Sequence, residues 1–161
     1  MNVSIRTQQL RHSTALTSSP APEALIRVGT CLADQLAQGR AVDTAALRAA
    51  MEAACGGSDA DGLWLWKDAY EAGEIAQVLF LRRFWPAIRA KATTPAARLA
   101  LLARITTMFP TQTRRSEESE AFQQFSTPLA LGFVAALAAG LRPGERVLEP
   151  SAGTGLLAVH A

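Results

Sequence analysis

The residues best able to do chemistry lie together near the end of the chain. In Leu148-Glu149-Pro150-Ser151-Ala152-Gly153-Thr154-Gly155, a carboxylate is followed by two glycines one residue apart. The preceding Arg146-Val147-Leu148-Glu149 reads as a short strand, and Leu156-Leu157-Ala158 reads as the start of a helix. A strand, a glycine-rich loop and a helix form a recurring ligand site. Glycines let the backbone turn tightly and let a ligand approach with no Cβ in the way, and a helix start offers unpaired N–H groups. Two alternatives can be tested on spacing. A phosphate-binding P-loop needs a lysine directly after its last glycine, but Leu156 follows Gly155 and no lysine lies downstream. A dinucleotide fingerprint needs a third glycine three residues later, where an alanine is sometimes accepted. Ala158 stands there, so a nicotinamide dinucleotide remains a minor alternative.

The remaining reading comes from a resemblance. Leu148 to Gly155 resembles the first cofactor motif of the amino-group DNA methyltransferases, the adenine-N6 family. Gln124-Phe125-Ser126-Thr127-Pro128 resembles the Phe-x-Thr-Pro motif that precedes it in those enzymes. One helix and a turn separate the two, as in the family, and two linked motifs in order are far more specific than either alone. The wording is most similar to the methylase part of bacterial methylase–helicase fusions of the strawberry-notch type. The resemblance covers 122–161, about a quarter of the chain.

It implies S-adenosylmethionine as cofactor, held by Phe125, Thr127, Glu149, Pro150, Ala152, Gly153 and Gly155. Gly153 and Gly155 would let the loop pass close to the cofactor. Glu149 would face the methionyl ammonium. Thr127, at a helix start where an anion is favoured, would help hold the methionyl carboxylate, and Phe125 would wall the pocket. The same residues have plainer readings: Thr127-Pro128 as an ordinary cap, Phe122 and Phe125 as core, Glu149 as a strand end, Gly153 and Gly155 as a turn. The family also needs an Asn/Asp-Pro-Pro-aromatic loop for the target amine and an acid some distance past the glycine loop for the ribose. Neither occurs in the residues up to Ala161. The expectation is therefore an amino-terminal part of a larger methyltransferase, with no catalytic residue in this stretch and no methyl transfer by it alone. Base flipping would need the other half.

A second candidate constellation is basic. Arg82, Arg83, Arg89, Lys91, Arg98, Arg104, Arg114 and Arg115 occur with no acid between them, whereas Glu52 to Glu74 holds six acids against Lys67 alone. A local surplus of this kind suits a surface that tracks phosphates, and makes DNA the expected partner. The alternatives are a solvated face or pairing with the acids of the third helix. His12 and His160 have no partner at ligand spacing, so no metal site is expected, and Cys31 and Cys55 read as small buried hydrophobes.

These groups must be positioned by helices. Pro20 and Pro22 open a first helix, with Leu25, Val28, Leu32 and Leu36 on one stripe and Gly39 at its end. Asp43 or Thr44 caps a second helix, whose inner face carries Leu47, Ala50, Met51 and Ala54, and Gly56-Gly57 stops it. A third, long helix is expected from Asp61 to about Phe84, apolar on most sides in its second half and hence central, with Pro86 kinking or ending it. Thr94-Pro95 starts a fourth, lined by Leu101, Leu102, Ile105 and Phe109. After a polar stretch, Leu129 to Ala139 forms an apolar helix closed by Gly140.

The expected fold is mainly α: a loose tail at 1–19, a helical bundle domain at 20–109, a polar linker at 110–120, and at 121–161 the helix, strand and glycine loop that start an α/β Rossmann-like methyltransferase domain. The bundle would be an accessory module that places DNA. A stand-alone helical module that binds nucleic acid or protein is the competing reading. Composition sets the outer limits. With 49 % hydrophobic and 19 % charged residues the chain is globular in type, and its net charge of +2 does not by itself make it a nucleic-acid binder. Its 32 alanines favour helix. No run of about 18 apolar residues is present and the N-terminus has no apolar signal core, so a cytoplasmic location away from membranes is expected. An exposed apolar strand at the end makes self-association a further expectation.

Overall fold

The computed structural model describes residues 19–114, 126–142 and 144–161. Among them the chain is mainly helical, and no described residue lies in a β-strand. The elements are α1 (Pro22–Ala37), α2 (Thr44–Cys55), α3 (Trp66–Lys91), α4 (Pro95–Thr106), α5 (Leu129–Ala139) and a terminal 3-10 turn (Ala158–His160).

Local chemistry sets most of the boundaries. Pro22 begins α1. Asp43 caps α2 by accepting from the Ala46 N–H at 2.7 Å, and Gly56 ends it with φ +79°. Thr94 accepts from the Ala97 N–H at the start of α4, and Gly140 closes α5 with φ +63°. All of these follow the expected cap and stop signals.

The third helix departs from expectation at both ends. It starts at Trp66 rather than Asp61. The Asp61 carboxylate is spent on the Ser58 N–H (3.1 Å) and hydroxyl (2.6 Å), which turns 58–61 into a loop. Asp68 caps the helix instead, accepting from the Leu65 N–H at 2.7 Å. The loop ahead of it buries Trp64 completely, with its indole N–H donating to the Gly57 carbonyl. At the other end the helix runs through Pro86 to Lys91. Pro86 is exposed, and buried Ile88 anchors the turn that follows. Arg98 then holds the exit, donating to the carbonyls of Ala92 (2.8 Å) and Thr93 (3.0 Å).

The strand expected at 146–149 is not formed. Val147 is half-exposed and Leu148 is 89 % exposed. Backbone groups in this stretch have no ladder partner among the described residues, and an unpaired segment gains nothing from strand geometry. The helix expected at Leu156 is a turn leading into the 3-10 segment, with the Val159 N–H donating to the Gly155 carbonyl. Cys31 is exposed rather than buried. It sits one residue before buried Leu32, which turns it about 100° away from the packed stripe.

Helix α3 is central and carries two apolar clusters. Its first half presents small residues, Ala69, Ala72 and Ala76, to Val28 and Leu32 of α1 and to Leu47 and Met51 of α2. Its second half, with Leu81 and Ile88, joins Leu36 of α1, Leu102 and Ile105 of α4, Leu129 and Phe133 of α5, and Leu156 of the C-terminal segment. Helix α5 and the segment around Leu156 therefore pack on the bundle.

Gly29 marks the closest approach of α1 to α3. A Cβ there would lie 2.5 Å from Ile75 Cγ2 and 3.3 Å from the Ala72 carbonyl oxygen. Alanine normally stabilises a helix over glycine by about 1 kcal/mol, but overpacking costs about 1–3 kcal/mol. Gly29→Ala is expected to lower stability by about 1 kcal/mol net, read as a lower urea midpoint at unchanged slope. Pro86→Ala should do the opposite. It restores an N–H for the Arg82 carbonyl at an exposed site, and a gain of about 1–2 kcal/mol is expected in the same titration once proline's stiffening of the unfolded chain is deducted.

Candidate functional site

The glycine loop is built from turns rather than helix. Gly153 and Gly155 have φ of +51° and +93°, a region that L side chains rarely adopt, and the Gly155 N–H donates to the Ala152 carbonyl at 2.7 Å. A Cβ on either glycine would meet nothing closer than the Ser151 carbonyl oxygen at 3.9 Å. Both are thus required for backbone conformation, with open space where their side chains would be. Pro150, Ala152 and Gly153 are exposed, and Glu149 is partly exposed. The Glu149 carboxylate accepts from the Ser151 N–H at 2.9 Å, which ties the entrance of the loop to itself.

Thr127 is exposed, just ahead of α5. Pro128 occupies the N-cap position and no side chain caps this helix. Phe125, the expected pocket wall, lies outside the described residues, as do Phe122, His12 and Arg115.

The structure also shows a contact that sequence reasoning missed. Thr154, between the two glycines, donates its hydroxyl to Glu74 Oε2 at 2.7 Å, across 80 positions of chain. The other oxygen of the same carboxylate, Oε1, accepts from Gln112 Nε2 at 2.6 Å. Glu74 is only 5 % exposed, and no cation pairs with it among the described residues. A readable signal existed. Tyr70, Glu74, Gln77, Leu81, Phe84 and Ile88 are spaced four, three, four, three and four apart, one continuous stripe on a helix. An acid within that stripe must be buried beside whatever the stripe packs on. Burial raises the pKa of neighbouring Glu71, with Lys67 opposing and the charges of Asp68 and Glu74 adding to the rise.

Next to this acid, residues 110–114 are fastened to the start of α3. The Arg114 N–H donates to the Tyr70 hydroxyl at 3.2 Å, and its guanidinium lies over the Trp66 ring at 4.5 Å. Arg48 covers the same indole at 5.2 Å. Asp59 completes the group, accepting from the Trp66 indole N–H at 2.8 Å and pairing with Arg48. Partial burial works against the Asp59 carboxylate, but the indole hydrogen bond and the Arg48 charge outweigh it and hold its pKa below the usual value.

The basic residues divide accordingly. Arg114 is stacked on Trp66, Arg98 caps α3, and Arg83 pairs with Asp34 at 3.0 Å while covering Phe84. Arg82, Arg89, Lys91 and Arg104 are exposed and form no ion pair among the described residues. Arg82 and Arg89 are two turns apart on one side of α3. No group of metal-ligating side chains occurs among the described residues. An open groove of about 430 Å³ runs between Val42–Thr44 and Thr107–Thr113, and none of the glycine-loop residues lines it. No described helix is long and apolar enough to cross a membrane.

Compared with models of known protein families, with curated proteins and with solved structures, the chain matches none.

His160 sits behind the loop. Its ring packs edge-on against Trp85 and Phe133, and Nε2 lies 3.1 Å from the Leu129 carbonyl oxygen, the geometry of an Nε2–H donor. Nδ1 is buried without a partner among the described residues. Burial pushes the imidazole below its ordinary value of 6.5, partly offset by the Leu129 carbonyl. A folded state that resists protonation binds fewer protons than the unfolded chain, so stability falls as pH drops below about 6.5 and the loss is complete below the folded value. Urea titrations at pH 8 and pH 5 should show this loss in the wild type. His160→Phe should show a smaller difference between the two pH values, because the titrating ring is gone.

Proposed function

We propose that this chain carries the opening of an S-adenosylmethionine-dependent methyltransferase domain that acts on DNA at adenine N6, preceded by a helical accessory domain. One observation carries the reading: the Phe-x-Thr-Pro and Glu-Pro-x-x-Gly-x-Gly segments occur in the family's order, one helix and one turn apart. The loop geometry supports it. Two glycines with positive φ, open space at both, and a carboxylate at the loop's entrance suit a cationic ligand that needs close backbone approach.

In this reading Glu149 meets the methionyl ammonium and exchanges its contact with the neutral Ser151 N–H for an ion pair. Gly153 and Gly155 admit the cofactor, with Pro150 and Ala152 shaping the turn, while Thr127 and Phe125 supply the carboxylate contact and the wall. The cofactor supplies the methyl group, and the residues described here bind and orient it. The target adenine would be held by elements beyond these motifs. Of the basic run, Arg82, Arg89, Lys91 and Arg104 are available to DNA phosphates, and Leu148 with the α5 residues Leu131 and Leu137 offers apolar surface for a second copy.

The test is cofactor binding and methyl transfer by the full protein encoded with this sequence. Equilibrium dialysis with radiolabelled S-adenosylmethionine should show saturable binding, weakened about tenfold or more in Glu149→Ala through loss of a hydrogen bond to a charged group. Digests of treated duplex DNA should contain N6-methyladenine. Absence of binding by the wild-type protein, or equal affinity in the variant, would overturn the assignment.

A further inference from the structure

Glu74 is the least expected charge in the molecule. It is buried in the central helix, no cation offsets it among the described residues, and its two oxygens are taken by neutral donors from different parts of the chain. Burying a carboxylate in this way is costly, and an apolar residue would continue the stripe of Leu81 and Ile88 without that cost. The charge is therefore poorly explained as a stabilising element. What it does is geometric. Through Gln112 it fixes the segment leaving α4, which Arg114 also fastens to Tyr70 and Trp66. Through Thr154 it fixes the middle of the glycine loop. Hydrogen bonds to an ionised acceptor are the stronger kind, and a carboxylate accepts on both oxygens at once, which leucine cannot do and glutamine can do only at one of them.

We propose that Glu74 is the positioning residue of the glycine loop: its carboxylate holds the Thr154 hydroxyl, so that the turn at Gly153–Gly155 is registered on α3 and on the segment at 112. The loop is otherwise poorly anchored. Pro150, Ser151, Ala152 and Gly153 are exposed, and Leu156 is the first buried residue after it. The consequence for cofactor binding rests on the function proposed above, whereas the holding of the loop does not.

The two are separated by reading both on the same variants. Hydrogen exchange followed by mass spectrometry on peptides covering 153–159, whose Gly155 and Val159 amides are hydrogen-bonded, is expected to show those amides exchanging about tenfold faster in Thr154→Val than in wild type, through loss of the Thr154–Glu74 hydrogen bond. Thr154→Ser should restore slow exchange. Glu74→Leu should match Thr154→Val at the loop and also speed exchange at 111–114, while the amides of α2 stay unchanged in all variants. Should Glu74→Leu fail to fold, the Thr154 pair still decides the matter, because that side chain lies in a partly exposed loop. Equal loop exchange in wild type and Thr154→Val overturns the proposal. In the second arm, S-adenosylmethionine affinity is expected to fall in Thr154→Val in step with loop exchange and to recover in Thr154→Ser. A wild type that binds no cofactor overturns the methyltransferase reading alone, and the exchange result still decides the role of Glu74.

Discussion

The fold depends on α3 being buried on two sides at once. Such a helix needs two different surfaces, because its neighbours approach at different distances. Toward α1 it shows Ala69, Ala72 and Ala76, and with Gly29 opposite Ile75 the two backbones come close. On the other side it shows Leu81 and Ile88, which meet α4, α5 and Leu156, and Glu74, which reaches Thr154 of the C-terminal segment. The first surface is solved by removing side-chain volume. The second is solved by filling space, and toward the N-terminal end of α3 what fills it is polar and must be paired.

That pairing explains why residues 129–161 are joined to the bundle by more than a tether. Leu129, Phe133 and Leu156 enter the same cluster as Leu81 and Leu102. Gly132 lets the last turn come near, since a Cβ there would lie 2.9 Å from the Leu156 carbonyl oxygen. Apolar contact sets the distance between the two parts but is tolerant of sliding. One directional contact, Thr154 to Glu74, selects a register between the two parts, while His160 to Leu129 holds the last turn on α5. Non-directional burial and directional hydrogen bonds thus divide the task, as they do in cores that carry a few satisfied polar groups.

Much of this was legible in the sequence where the controlling interactions are local. Asp43, Thr94 and Gly140 act within three or four residues of themselves, and their caps and stops fall where the residue types put them. The long third helix was legible as central, but not its limits. Asp61 and Asp68 are both plausible caps, and only the Ser58 hydroxyl three residues upstream decides which carboxylate is free. Pro86 ends a helix by local rules, yet Ile88 and the Arg98 bonds beyond it make continuation the better outcome. The segment at 146–149 has strand-forming residues, but a strand is a property of a pair, and no partner is found among the described residues. For the candidate site, the glycines were legible because their φ values are a backbone necessity. The partner of Thr154 was not, since nothing local links positions 80 residues apart.

The charge pattern yields to the same reasoning. A run of arginines without acids looks like a phosphate-binding surface when counted along the chain, but counting assigns every guanidinium the same role. The Arg98 guanidinium is held by carbonyls, that of Arg114 by an indole ring and the Asp59 carboxylate, and that of Arg83 by a carboxylate of α1. Three of the described cations are thus spent on closing helix ends, fastening a crossing segment and bridging two helices, tasks for which a planar, multiply donating group is better suited than an ammonium. This gives the excess of 14 arginines over two lysines a partial structural use. Within this run the remaining exposed cations, Arg82, Arg89, Lys91 and Arg104, form a short stripe on α3 with additions near the ends of α3 and α4 rather than a continuous track. Under the proposed function such a surface would assist a DNA-binding domain by weak, salt-sensitive attraction and would contribute little sequence discrimination of its own.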